Sequence, residues 1–344
     1  MTTRLTIDLD ALAANYHTLR AEAAGAEICP VVKANGYGLG ATAVSTRLAA
    51  EGAKSFFVAR LEEGERLRAA LPEATIHVLD GLRAGTQSRL IAARLSPVLT
   101  SVEQAKAWQD QPTGLHVDTG MNRLGVSVEE ALDLAKTGFR PALLVSHLGR
   151  ADDPSQPRNP QQLARFRQAR AAFPDSPASL AASAGIFLGP DYRFDAVRPG
   201  ISLYGGGPCE IPHPSIRAVV SLHAPILQLR DVKAGEAVGY GSMFTVPRAM
   251  RIAMVGAGYA DGIIRCSHRT AKAWLDGCAL PFVVVTMDLI AVDVSEQPQA
   301  KVGDAVELLG PHALLDDLAK ASDSVAHECL VHLSQRAGRI YSGG

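Results

Sequence analysis

Lys33 ends the apolar run "CPVVK", and "ANGYGLG" follows at once. Other chemically capable side chains also stand where apolar runs stop. Asp118 closes "GLHVD", with Arg123 in the loop beyond it, and His147 closes "ALLVSH". Ser183 closes "SLAAS", and Arg198 stands in "DAVRPG", just before Gly200 and Ile201. Brought to one end of one sheet, these cationic and hydroxyl groups form a mouth for an anionic ligand. Each alone has a plainer reading. A strand-end lysine is a solvated cap, a single histidine a hydrogen-bonded core residue, an arginine a salt-bridge partner. Ser183 and Gly200 are ordinary turn residues.

Together they point to Schiff-base chemistry with pyridoxal phosphate. The amine must be neutral to attack an aldehyde, and a desolvated, cation-rich site lowers its pKa. Ser183, Gly200 and Ile201 lie near the last strands, where backbone N–H groups and hydroxyls hold phosphate. Arg198 is placed to face the pyridine nitrogen.

That convergence needs a scaffold. Eight apolar runs of strand length precede residue 205: "CPVVK", "SFFVAR", "TIHVL", "PVLT", "GLHVD", "ALLVSH", "SLAAS" and "DAVRPG". Helical segments separate most of them. "DALAANYHTLRAEA" places Leu12, Tyr16 and Leu19 on one face, and "ATAVSTRLAAEG" ends at Gly52, a C-cap candidate. The last two runs are close together and leave little room for a helix. Alternating strands and helices predict an α/β fold, a (β/α)8 TIM-type barrel whose site forms at the C-terminal strand ends. The rival is an open doubly wound sheet, but no GxGxxG or P-loop follows the first strand.

Beyond about residue 220 the chain turns β-rich. "DVKAGEAVGYG" and "KVGDAVELLG" share a K-x-G-[ED]-A-V core, which predicts two similar hairpin turns. The expected division is a barrel over 9–222 and an all-β C-terminal domain over 223–344, joined by an N-terminal strand in 1–8.

Composition excludes several classes. The 344 residues are 47% hydrophobic with a net charge of −1, which gives no basic footprint for nucleic acid or anionic membrane. No apolar stretch approaches the ~18 residues of a membrane helix. "MTTRLTIDLD" has no apolar h-region, so no signal peptide is expected. Cys29, Cys209, Cys266, Cys278 and Cys329 form no CxxC pair. They predict reduced, mostly buried thiols in a cytoplasmic protein and no metal site.

"VVKANGYGLG" resembles the pyridoxal-phosphate lysine motif of alanine racemases, VVKANAYGHG. "IDLDALAANYHTLR", "VDTGMNRLG", "VSHLGRADD", "FDAVRPGISLYG", "GYADG" and "TMD" resemble further blocks of that family in the family's order, nearly end to end. The resemblance implies a barrel plus a C-terminal β domain, and a homodimer whose active sites are each completed by the partner. It implies Lys33 as the cofactor-binding lysine and the base on the D-face, and the partner's Tyr259 as the base on the L-face. His147 and Arg198 would stand behind that tyrosine. Arg123 would hold the cofactor's phenolic oxygen and the substrate carboxylate, which the Met287 N–H would also meet. Tyr37, Ser183, Gly200 and Ile201 would hold the phosphate, and Asp152 and Asp288 would lie near the substrate entrance. The expected isomerase interconverts L- and D-alanine and supplies D-alanine for peptidoglycan. A racemase of serine or of broader range, or a decarboxylase on the same architecture, are the alternatives.

The sequence departs from the pattern at several positions that bear on the site. His116 stands where many members carry a carbamylated lysine. Imidazole forms no such carbamate, so Arg123 needs other support, a neutral hydrogen bond or a bound anion. Ala182 replaces an asparagine and Leu39 a histidine. Gln335 stands where some members place a phosphate-binding tyrosine, with Tyr341 close by.

Overall fold

The computed structural model describes residues 2–108, 111–333 and 336–343; Gln335 lies outside them. The chain divides into two compact units, Ala13–Leu203 and the pair Met1–Leu12 with Tyr204–Gly344. Strand β1 is Arg4–Asp8. Eight short strands follow in the first unit: β2 Glu27–Ile28, β3 Ser55–Val58, β4 Thr75–Val78, β5 Ser96–Leu99, β6 Gly114–His116, β7 Leu143–Val145, β8 Ala178–Ser179 and β9 Ala196–Val197.

These eight close into a parallel barrel. β3 to β8 pair in chain order, and β2 pairs with β9. Two isolated parallel bridges complete the ring, Val31 to Phe57 and Ala182 to Arg198. Hydrogen bonds reinforce them, from Val32 N–H to Phe57 O at 2.8 Å and from Arg198 N–H to Ala181 O at 2.8 Å. β3 to β9 overlap the expected apolar runs, whereas β2 ends just before "CPVVK", of which Val31 makes only the isolated bridge to Phe57. Such runs are apolar without alternation because barrel strands are covered on both faces. Phe56, Phe57, Val98, Leu115, Leu144 and Val197 have no accessible surface.

The helices follow their local signals. Leu12, Tyr16 and Leu19 are buried on the helix Leu9–Glu22. Gly52, at φ +103°, follows the helix Ala41–Ala50 in the left-handed conformation that a side chain would oppose. Before the helix Val128–Lys136, Ser127 and Glu130 cap each other's backbone N–H groups at 3.1 and 2.7 Å, a capping box. The last βα unit is reduced. Between β8 and β9 stand only the short helix Ser183–Ile186 and a 3-10 turn, Pro190–Tyr192.

The second unit holds β10 Val220–Val232, β11 Ala237–Val238, β12 Phe244–Thr245, β13 Met250–Val255, β14 Lys272–Leu275, β15 Cys278–Val285, β16 Ile290–Asp293, β17 Ala305–Leu309 and β18 Gly338–Ser342. β13, β16, β15, β14, β17 and β10 form an antiparallel ring, closed by β10 pairing again with β13. β1 adds antiparallel to β10 and parallel to β18. The repeated K-x-G-[ED]-A-V segments make the same turn. Glu236 accepts the Lys233 N–H at 2.7 Å, Asp304 accepts the Lys301 N–H at 2.9 Å, and Gly235 and Gly303 are both left-handed. The thiols differ from expectation. None of the five cysteines is in a disulfide, but only Cys29 and Cys329 are buried, and Cys278 is exposed at a hairpin.

Candidate functional site

Lys33 does not simply end a strand. It opens a tight turn in which Ala34, Asn35, Gly36 and Tyr37 have φ of 52°, 58°, 63° and 54°, followed by Gly38 at 85°. This is a left-handed helical turn. It costs about 1–2 kcal/mol for each non-glycine residue. Several contacts offset the strain. The Gly38 N–H donates to Ala34 O at 2.8 Å, and Asn35 Oδ1 accepts the Ala41 N–H at 3.0 Å. Glu63 Oε1 accepts the Ala34 N–H at 2.7 Å. Burial holds the Lys33 ammonium below its ordinary range; Arg123 pushes the same way, and Glu63 opposes both.

Arg198 lies in the barrel interior, 4% exposed. Nη1 donates to Ser179 O at 2.8 Å and to Ser179 Oγ, and Nη2 donates to the carbonyls of Ser146 and Leu180. These bonds engage the four terminal N–H groups and leave Nε–H as the remaining donor. Burial lowers the guanidinium to about 10, so it stays cationic near neutral pH. The same burial, then Arg198 and Arg123, keeps two histidines neutral. His147 is held well below its usual range, and His116 falls to about 4.

Arg123 rides on an anchored loop. Asp118 Oδ1 accepts the N–H groups of Gly120 and Met121 at 2.8 Å each, and Oδ2 accepts the Arg123 N–H at 3.3 Å. Burial pushes this carboxyl up, but the N–H groups around it outweigh burial and hold it below its usual range. The loop closes with Val126 N–H on His116 O and Asp118 N–H on Val126 O. Gly125 is required there. A Cβ would fall 2.8 Å from Asp118 N and 2.9 Å from the His116 ring. Buried Gln162 ties the neighbouring ends together. It donates to Thr119 Oγ1 at 3.1 Å and His147 O at 3.0 Å, and accepts the Gly149 N–H at 2.8 Å.

Ser183, Gly200, Ile201 and Tyr37 form a cradle. Ser183 Oγ accepts the N–H groups of Gly200 and Ser202 at 3.0 and 3.3 Å. The Tyr37 hydroxyl comes so close to Gly200 that a Cβ there would lie 2.2 Å away. Burial pushes the Tyr37 phenol up, so it remains a neutral donor. Ile201 is buried, and the buried Ser202 Oγ has no hydrogen-bond partner. The Lys33 turn, Arg123, His147 and Arg198 thus stand at the C-terminal strand ends. Asp152, in the loop after β7, pairs with Arg150 at 3.4 Å. Leu39 is fully buried, and Ala182 forms the bridge to Arg198.

Tyr259, Met287 and Asp288 share a second cluster, in the β-rich unit. The N–H groups of Tyr259 and Ala260 donate to Thr286 O and Met287 O at 3.0 Å each. Gly258 permits this approach, since a Cβ would fall 2.3 Å from Thr286 O. Buried Asp261 accepts the Gly258 N–H at 2.9 Å, and Arg336 bridges Asp261 at 3.5 Å and Asp288 at 2.6 Å. Tyr259 and Met287 nevertheless stay exposed, at 43% and 53%. Tyr341 lies on β18, also partly exposed.

Glu63, Gln162 and Asp261 are absent from the sequence reading as site residues. Gln162 carries a signal: a polar residue on the same helical stripe as buried Phe166 and Ala169. Glu63 carries less, because an acid in the first turn of a helix is ordinary. Among the described residues no group of three metal-ligating side chains could hold a metal ion, and no helix is long and apolar enough to cross a membrane.

The neutral histidines predict acid sensitivity. His77 stacks on Phe57 at 4.6 Å with Nδ1 unpartnered, and burial, then Arg198, lowers it to about 4. Unfolded, it takes a proton below about 6.5. Its contribution is therefore complete above pH 6.5 and lost as pH falls towards 4, up to about 3 kcal/mol. In urea unfolding, His77→Leu should shrink the difference in stability between pH 7 and pH 4.5 by roughly that amount. An unchanged difference would contradict the assignment.

A family model described as the alanine racemase N-terminal domain matches residues 7–208, and one described as the alanine racemase C-terminal domain matches 219–341. The chain is 44% identical to an alanine racemase of Methylobacterium nodulans, over 99% of this chain and 96% of that one. It is 42% identical to a biosynthetic alanine racemase of Agrobacterium fabrum, over 98% and 93%. Among solved structures, the alanine racemase of Bartonella henselae with covalently bound pyridoxal phosphate superposes with a TM-score of 0.93 at 37% identity, covering 99% of this chain and all of that one.

Proposed function

This chain belongs to the alanine racemase family, and from that premise we propose that it interconverts L- and D-alanine with Lys33 and the partner's Tyr259 as opposed bases. The carrying observation is Lys33 itself. A lysine with a depressed pKa stands on a strained turn beside Arg123 and His147, at the strand ends of a barrel.

The cofactor is pyridoxal phosphate, and the residues present fit it. The Tyr37–Gly200 approach leaves room only for glycine, Ser202 Oγ is an orphaned buried hydroxyl, and Arg198 keeps one N–H uncommitted. Tyr37, Ser183, Gly200 and Ile201 would hold the phosphate, Arg198 the pyridine nitrogen and Arg123 the phenolic oxygen. When bound, the cofactor delocalises the electron pair left at the substrate's α-carbon and so acidifies the α-proton.

Everything else falls to the chain. Lys33 Nζ takes or returns the α-proton on the D-face, and Tyr259 Oη does so on the L-face. A phenol is a weak base near neutral pH; His147 would assist it through a hydrogen bond, with the Arg198 charge behind that histidine. Arg123 and the Met287 N–H orient the substrate carboxylate. Asp152 and Asp288 flank the entrance. Arg198, a donor that keeps its proton at neutral pH, would leave the ring nitrogen of a bound cofactor unprotonated and so limit stray transamination and decarboxylation. We assign the working form as a cytoplasmic homodimer with shared sites, and its product to cell-wall peptidoglycan.

Proton NMR in D2O tests the reaction. With L-alanine, the α-proton signal should disappear while D-alanine accumulates. Faster conversion of L-serine would move the assignment to a serine racemase. Loss of carbon dioxide without inversion would replace racemisation by decarboxylation.

A further inference from the structure

Glu63 is the third residue of the helix Leu61–Ala70, and its carboxylate serves two segments at once. Oε2 accepts the N–H groups of Ala59 and Arg60 at 2.8 and 3.1 Å, where the chain leaves β3 and enters the helix. Oε1 reaches away from that helix and accepts the Ala34 N–H at 2.7 Å. An acid that only capped its own helix would have no use for the second contact.

The Ala34 N–H belongs to the peptide plane that follows Lys33 Cα. Holding it fixes the ψ of Lys33 and starts the left-handed turn at its first residue. The peptide plane before Lys33 is held independently: its Val32 carbonyl accepts the Gly36 N–H at 2.9 Å, and one residue upstream the Val32 N–H donates to Phe57 O in the barrel at 2.8 Å. Lys33 is therefore fixed on both sides, by the barrel ladder and by Glu63. Charge adds a second effect. The groups that act on the ammonium are Arg123 and Glu63, and His147 lies near enough to feel it. Glu63 is the one acid in that set.

We propose that Glu63 is the positioning residue of Lys33: its carboxylate clamps the peptide after the lysine to the β3–helix junction and sets a negative charge against the ammonium. The chemistry requires glutamate. Glutamine offers one accepting oxygen, which cannot serve both segments, and aspartate is one methylene shorter. The inference rests on Lys33 as the cofactor-binding lysine.

The test compares the holoenzyme with Glu63→Gln, Glu63→Asp and the control Glu130→Gln. Glu130 holds the equivalent position in the helix Val128–Lys136 and accepts only the Ser127 N–H. Three quantities are measured: the dissociation constant for pyridoxal phosphate by equilibrium dialysis, the pH midpoint of cofactor capture by absorbance, and the unfolding midpoint. In Glu63→Gln the dissociation constant should rise at least about tenfold, and the pH midpoint should move to lower pH, because the acid that favours the ammonium is gone. Glu63→Asp should keep the wild-type pH midpoint while binding cofactor more weakly. Glu130→Gln should lower the unfolding midpoint alone. Wild-type affinity and pH midpoint in Glu63→Gln would overturn the proposal; if that variant does not fold, wild-type affinity in Glu63→Asp would do so. Borohydride reduction and peptide mapping of the wild type separate the two readings. A label away from Lys33 refutes the role of Lys33, whereas a label on Lys33 with unaffected Glu63 variants refutes only the role of Glu63.

Discussion

Lys33→Ala should release pyridoxal phosphate on gel filtration, lose the absorbance of the covalently held cofactor and racemise alanine at least about 10⁴-fold more slowly than the parent. The size of the effect follows from two roles in one amine. In the proposed mechanism Lys33 Nζ would both make the covalent link and carry the D-face proton, so removing it takes away the anchor and a base together. The rest of the site should survive. Arg198 is fixed by carbonyls of β7, β8 and their extensions, and the Ser183 bonds to Gly200 and Ser202 do not involve the lysine. With cofactor supplied in excess, the variant should therefore still bind it reversibly, without a covalent link, through its phosphate cradle. A small primary amine added to it should restore part of the proton exchange, since the missing group is compact and the cavity left by three methylenes and the amine can admit it. Full turnover in the uncomplemented variant would end the assignment of Lys33.

The barrel is legible in the sequence because its signal is physical and local. Strands such as "SFFV" and "ALLV" are apolar without alternation, and only a sheet covered on both faces requires that. Their terminal residues then mark one end of the barrel, which is why Lys33, Arg123, His147 and Arg198 can be picked out before any coordinates. The twin turns at Gly235 and Gly303 are legible for the same reason: each needs a left-handed glycine followed by an acid that reaches back to the lysine N–H.

The turn after Lys33 is not legible. Gly36 and Gly38 hint at unusual backbone, but Ala34, Asn35 and Tyr37 have no intrinsic preference strong enough to announce three left-handed residues. Tertiary contacts impose that conformation, and the acid that supplies one of them stands 29 residues away on another segment. Glu63 and Gln162 belong to the same class. Their side chains hold backbone groups distant in sequence, so residue type and spacing carry little of the information. His116 marks the opposite case. Its place in the pattern is clear, and the structure adds its state: buried, neutral and against Gly125.

Tyr259→Phe should separate the two faces of the reaction. Tyr259 is unusual in being both exposed and rigidly mounted: its loop is pinned to Thr286 and Met287 and locked by the Asp261–Arg336–Asp288 chain of charges. An exposed ring on a fixed platform suits a group that acts outside its own unit. Phenylalanine keeps the ring and the platform and removes only Oη. Net racemisation should then fall by about 10²–10⁴-fold in both directions, because the L- and D-alanine reactions share an equilibrium constant of unity and cannot be slowed separately. Proton exchange is free of that constraint. In D2O, L-alanine should lose its α-proton exchange with Tyr259 gone, whereas D-alanine should still exchange, since Lys33 Nζ can remove a proton and return a deuteron on the same face without inversion. Equal loss of exchange from both enantiomers would mean that Tyr259 acts on binding or positioning, and that a single base serves both faces. Retained exchange with D-alanine alone would assign the L-face proton to Tyr259 Oη.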